Sequence, residues 1–68
     1  MGWLEWKHDL DEANKAYDEG RIGREIYETR VKMAIYMINK CGESDIAEKI
    51  AKAHGYNFEK LIKDQNEL

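Results

Sequence analysis

Few side chains in this 68-residue sequence are grouped as metal or acid–base chemistry requires. Glu5 and His8 have the E-x-x-H spacing of helical di-metal sites, and Asp9 and Glu12 extend the same helix face. A di-metal centre also needs carboxylates from other helices, and no second E-x-x-H segment supplies them. We therefore interpret this face as a solvated helix surface and predict neither a metal site nor another cofactor.

A second candidate is the sulfur stripe formed by Met33, Met37 and Cys41. Their spacing of four residues places three soft ligands on one helix face, a pattern that could suit copper. The stripe also falls within an apolar arc, so we expect it to pack in the core. Cys41 lies at the expected C-terminal end of a helix, whereas reactive cysteines are found at helix N-termini, so we do not predict it to be a nucleophile. The sequence also lacks a glycine-rich phosphate loop, and we predict that the protein is not an enzyme.

The elements that carry these side chains are predicted to be helices. Stretches rich in Glu, Lys, Ala, Leu, Ile and Met lie between glycines at positions 20, 23, 42 and 55, and no alternating strand pattern appears. We predict an all-α fold with one domain over residues 1–68. It is a small bundle of three main helices plus a short C-terminal helix. The helices are expected at 3–18, 23–40, from Ser44 to Gly55, and after Asn57, with residues 64–68 frayed.

Helix-end chemistry supports these boundaries. Ser44 and Asn57 are good N-cap residues, and Gly20 is well placed to end the first helix in the left-handed conformation. His54, next to Gly55, is expected to cap or pack at a helix end. The first two helices should form an antiparallel hairpin about residues 20–23.

The second helix has more apolar surface than an ordinary surface helix. A stripe of about 100° would suffice for one-sided burial, yet apolar residues fill more than half of its circumference. We predict that this helix is central in the bundle or also forms an oligomer interface. Arg30 lies inside the arc, where either its stem packs while the guanidinium reaches solvent, or it forms a buried ion pair with an acid of the first helix or of another subunit. The first helix carries a narrower apolar seam, made of Trp3, Trp6, Leu10, Ala13 and Tyr17.

Composition favours association as the function. Eleven Lys and Arg against fourteen Asp and Glu give a net charge of −3, and the single cysteine excludes an internal disulfide. The sequence shows neither an export signal nor an apolar run of membrane-spanning length, so we expect a cytoplasmic protein without a membrane partner. Domains of this size are marginally stable alone, which favours oligomerisation or partner binding.

We therefore predict a small acidic binding protein that acts through protein–protein contact. It is expected to be an adaptor or inhibitor and to form a homodimer or bind another protein. Small helical proteins of this kind are often phage or plasmid accessory proteins, so we expect that class. Tryptophan is enriched at binding hot spots, and the apolar arc supplies the rest of the surface. The predicted interface residues are Trp3, Trp6, Arg30, Met33 and Met37.

The alternative is a helix-turn-helix DNA-binding regulator that uses residues 45–63. Ala51 and Gly55 have the spacing found at the end of the first helix of that motif, and Leu61 should point inward from the second. The candidate phosphate contacts are Lys49, Lys52, Lys60 and Lys63. Nucleic acid is the less favoured partner, because the second helix offers few side chains that read base edges and acids nearly cancel the lysines.

Overall fold

The computed structural model describes residues 2–66, which form four α-helices. They are α1 (Trp3–Asp18), α2 (Arg24–Lys40), α3 (Ser44–Ala53) and α4 (Phe58–Asn66). The predicted all-α fold is confirmed, and residues 2–66 contain no strand. Helix α4 continues to Asn66, so the expected fraying from residue 64 is wrong for residues 64–66; residues 67 and 68 lie outside the described residues. Within the described chain, no helix has the length and apolar composition needed to cross a bilayer.

The first three helices end in the same way, with a glycine in the left-handed conformation. Gly20, Gly42 and Gly55 have φ angles of 73°, 90° and 78°. At the end of α3, the Tyr56 N–H donates to the Ala51 carbonyl at 2.9 Å and the Gly55 N–H to the Lys52 carbonyl at 3.1 Å. This is the Schellman pattern, which satisfies carbonyls that have no partner inside the helix. The glycines therefore determine where the chain turns.

The two predicted N-caps have different outcomes. Asn57 caps α4, since its Oδ1 accepts a hydrogen bond from the Lys60 N–H at 3.0 Å. The prediction for Ser44 is wrong: Ser44 is the first residue of α3, and Glu43 is the N-cap without a side-chain hydrogen bond. The reason is the short preceding turn, in which the Glu43 N–H still bonds the Ile38 carbonyl at 3.2 Å while its own carbonyl accepts from Ala47.

Helix α2 is central in the bundle, which confirms the first of the two explanations that we gave for its wide apolar arc. It packs against each of the other three helices, whereas the close backbone neighbours of α1 lie on α2 alone. The fully buried side chains of largest volume, Ile35, Ile38 and Val31, all belong to α2. They pack in one cluster with Leu10, Ala34, Ala47, Ala51 and Leu61.

The outer part of the α2 arc is uncovered. Met33 is 43% exposed and Ile26 is 53% exposed. The expectation that the sulfur stripe packs in the core is therefore wrong for Met33 and for Cys41, which is also exposed; Met37 is half-buried. The reason is geometric: α1 and the α3–α4 pair cover the side of α2 centred on Val31, Ala34, Ile35 and Ile38, and the stripe lies beyond that side.

The predicted apolar seam of α1 differs from the buried residues by one position at the end of the helix. Leu10 and Ala13 are buried as expected, and so is Ala16, while Tyr17 is 39% exposed. Tyr17 still has a partner, because its ring stacks on Tyr27 of α2 at 4.4 Å between centroids. This contact near the turn is consistent with the predicted antiparallel hairpin.

The glycine turns generate a stability prediction. We expect Gly55→Ala to lower the free energy of unfolding by about 1 kcal/mol, because a Cβ is strained at a φ of 78° although no atom lies within 4 Å of its position. Gly23→Ser is the control, since Gly23 has a φ of −81° at the N-cap of α2, where serine is favoured. Urea denaturation measures both; equal losses at the two positions would contradict this account.

Candidate protein-binding surface

A groove opens between α1 and the uncovered side of α2. It has a volume of about 250 Å³ and is lined by Trp6, Asp9, Thr29, Arg30 and Met33. A second concavity continues along α2 and shares Thr29 and Arg30, adding Glu25 and Ile26. We call these seven residues the α1–α2 groove. Its walls combine a large ring, two exposed aliphatic chains and three charges, a composition typical of a contact surface.

The antiparallel hairpin explains why these residues meet. Ile26, Arg30 and Met33 are spaced by four and three residues, so they follow one edge of α2. Trp6 and Asp9 are three residues apart on α1 and face that edge. The Trp6 ring is half-buried because it also packs against the core cluster, and its remaining surface lines the groove.

The charges of the groove are exposed, and two of them, Asp9 and Arg30, lack ion partners among the described residues. Arg30 is exposed, and no charged side chain is buried among the described residues, so the predicted buried ion pair with an acid of the first helix is wrong, while a pair with another subunit stays a prediction. Neither Arg30 nor Asp9 makes an ion pair or a side-chain hydrogen bond with the residues that the structure describes. The groove thus presents an acid and a base, neither of which is neutralised by another side chain that the structure describes.

Three of the five predicted interface residues come together here. Trp6, Arg30 and Met33 line the α1–α2 groove. Trp3 packs against the core cluster and Met37 is half-buried, and neither lines the groove. Sequence reasoning missed Asp9, Glu25, Ile26 and Thr29 as members of one surface. The available signal was their spacing from Trp6 and Arg30, once the hairpin is assumed.

A second feature, which sequence reasoning missed, is a row of four rings across the bundle. Tyr17 stacks on Tyr27, whose ring lies 6.2 Å from that of His54, and His54 lies 6.2 Å from Tyr56 at an interplanar angle of 13°. We call these four residues the aromatic row. His54, the C-cap of α3, is thus a packing residue as predicted. The row joins α1, α2 and the turn before α4, which gives it a structural role.

Two tyrosines of the aromatic row have raised pKa values. Burial raises the pKa of Tyr27, and the negative charge of Asp18 raises it further. Burial likewise raises the pKa of Tyr56, with a smaller contribution from Glu28. The Tyr27 hydroxyl donates a hydrogen bond to Asn14 Oδ1 at 2.6 Å, which ties α2 to α1.

We expect Tyr27→Phe to lower the free energy of unfolding by about 1 kcal/mol, because it leaves Asn14 without this hydrogen bond. Tyr17→Phe is the matched control, since it keeps the stacked ring of the same pair. Chemical denaturation at neutral pH measures the difference. A loss no larger for Tyr27→Phe than for Tyr17→Phe would show that the ring contacts alone hold this part of the hairpin.

The raised pKa values also predict a dependence on pH. A tyrosine with a higher pKa in the folded state contributes stability that is complete below the ordinary value of 10.0 and is lost as pH rises through the folded pKa. Unfolding free energies measured above pH 10 should therefore decline less steeply for the Tyr27→Phe and Tyr56→Phe double variant than for the native chain. Identical alkaline slopes would contradict the assignment.

The four lysines of the DNA-binding alternative lie exposed on α3 and α4, interleaved with acids. Lys52 Nζ forms an ion pair with Glu48 Oε1 at 3.2 Å. A shallow concavity that contains Lys52 also contains Glu48 and Glu59, and one that contains Lys60 also contains Asp64. Ala51 and Leu61 are buried, as a helix-turn-helix would require, but a helical hairpin that closes the core requires the same. The remaining two lysines are Lys49 and Lys63.

The acidic face of α1 is solvated. His8 and Glu12 have side chains that are 74% and 56% exposed, and His8 Nε2 lies 3.9 Å from Glu12 Oε1. Across the described residues, no three His, Cys, Asp or Glu side chains converge where they could bind a metal ion.

Comparison with known proteins assigns no family. The chain matches no protein-family model, and no curated protein or solved structure matches it.

Proposed function

We propose that this chain is a small non-enzymatic binding protein of the adaptor or inhibitor type, which acts by protein–protein contact through the α1–α2 groove. The observation that carries the proposal is the exposed apolar edge of Ile26 and Met33 beside the Trp6 ring. Aromatic and methionine side chains are enriched at the centres of protein interfaces, and an uncovered apolar strip with a polar border is the composition such contacts use.

Size supports the same proposal. A 68-residue domain gains little free energy from one small core, so contact with a partner is a direct source of added stability. The charges of the groove favour the homodimer that the sequence predicts. A cytoplasmic location is part of the proposal, because a chain with a single cysteine has no internal disulfide that an oxidising compartment would form.

The DNA-binding regulator is the second candidate, supported by the exposed lysines of α3 and α4. The acids that alternate with those lysines oppose phosphate binding. Titration of duplex DNA at two salt concentrations tests this candidate: affinity that falls with added salt supports the regulator, whereas no affinity, or affinity that does not fall with added salt, removes it.

Site-directed photo-crosslinking in the source cells tests the proposed function. A photoreactive residue at Thr29, on the wall of the groove, should yield a crosslinked protein that mass spectrometry identifies as a second copy or a distinct partner. Introducing Met33→Glu should abolish that product, because it puts a charge on the apolar edge. Leu4→Glu is the control: Leu4 is 65% exposed and lies outside the groove, so crosslinking should persist. Crosslinks that form only from a position such as Lys63 would overturn the proposal.

A further inference from the structure

Two of the three charged residues of the α1–α2 groove, Asp9 and Arg30, are complementary in charge. Asp9 and Arg30 lie on opposite walls of one groove, and neither has an ion partner among the described residues. In a two-fold contact, the residue that meets a given position on the second copy is met in return by its equivalent. A two-fold axis across the groove would therefore turn one unmatched acid and one unmatched base into two matched pairs.

The charges of the two whole helices are complementary in the same way as Asp9 and Arg30. Helix α1 carries five acidic and two basic side chains, while α2 carries four basic and two acidic ones. When two copies meet face to face through this side of the hairpin, an antiparallel arrangement can lay the acidic helix of each on the basic helix of the other. A different protein would need its own charges arranged to match, whereas a second copy has them already.

Apolar residues of the groove lie on the surface that this contact would cover. Ile26 and Met33 are exposed on the same edge of α2 as Arg30. Laying α1 of a second copy along that edge would remove both side chains from water, which stabilises the contact.

The area that a stable dimer buries determines how much of the α1–α2 side of the bundle must lie in the contact. A stable interface of standard size takes about 800 Å² from each partner. The chain measures 30 × 22 × 21 Å and exposes 4830 Å² in total. The contact must therefore extend beyond the groove over most of the α1–α2 side of the bundle.

From these observations we infer that the occupant of the α1–α2 groove is a second copy of this chain, in a two-fold dimer in which Arg30 of each copy pairs with Asp9 of the other. This inference rests on the proposed function and specifies its partner. The apolar edge supplies affinity, and the crossed ion pairs set the register, because exposed ion pairs add little affinity but exclude like-charged arrangements.

A charge-exchange experiment tests the pairing. Arg30→Glu alone should raise the dimer dissociation constant roughly tenfold, because each dimer would contain two contacts between carboxylates. Asp9→Lys alone should have a similar effect through two contacts between cations. Mixing the two variants should restore dimerisation, because the introduced glutamate then faces the introduced lysine, while the native Asp9 of one variant faces the native Arg30 of the other. Analytical ultracentrifugation of each variant and of the mixture measures these constants.

Matched controls keep the outcome specific. Lys63→Glu and Asp45→Lys change exposed charges outside the groove, and they should leave the dissociation constant unchanged alone or mixed. Circular dichroism confirms that each variant folds. A dimer that the mixture fails to restore would overturn the crossed pairs, since pairing within one copy cannot be rescued by a second.

The inference and the proposed function fail in different ways. If the native chain stays monomeric across micromolar concentrations while the Thr29 crosslink identifies another protein, the second copy is overturned and the binding function stands. If the chain is monomeric and the Thr29 position crosslinks to nothing, both are overturned.

Discussion

A 68-residue chain without a disulfide must be held together by one hydrophobic core, and in this protein that core is built around α2. Each of the other helices packs against α2, and the largest fully buried side chains, Ile35, Ile38 and Val31, come from it. A helix in that position needs apolar residues on several sides. The three neighbouring helices that the structure describes do not cover all of these sides, and the strip containing Ile26 and Met33 remains at the surface. The candidate binding surface is therefore a direct result of how the core is made.

The secondary structure of this chain could be predicted from local rules. Spacing of three and four residues identified the helices, and glycines at their ends identified the turns, because only glycine adopts the left-handed conformation at low cost. Asn57 capped its helix as a local rule requires. Ser44 did not, because the preceding turn hydrogen-bonds through Glu43 and shifts the start of α3 by one residue. Local chemistry therefore predicts elements well and their exact ends less well.

The candidate site was predictable only in part, because exposure depends on which neighbours cover a helix. The width of the apolar arc indicated that α2 is central, but it gave no means of deciding which edge stays open. Met33 and Ala34 are adjacent in sequence, yet one is 43% exposed and the other is buried. The same limitation applies to Tyr17 and Ala16 on α1. Asp9 joins the groove because the hairpin brings it opposite Arg30, a tertiary relation that sequence spacing within one helix does not contain.

The attachment of α1 has a thermodynamic consequence for anything that binds here. Its close backbone neighbours lie on α2 alone, so separating α1 from α2 would break no close backbone contact of α3 or α4. The groove has one wall on each of the two helices, and it exists only while the hairpin is closed. A ligand that spans both walls therefore binds the closed state selectively and shifts the local opening equilibrium toward it. Amide hydrogen exchange in α1 would report that occupancy directly, even where the rest of the bundle shows no change.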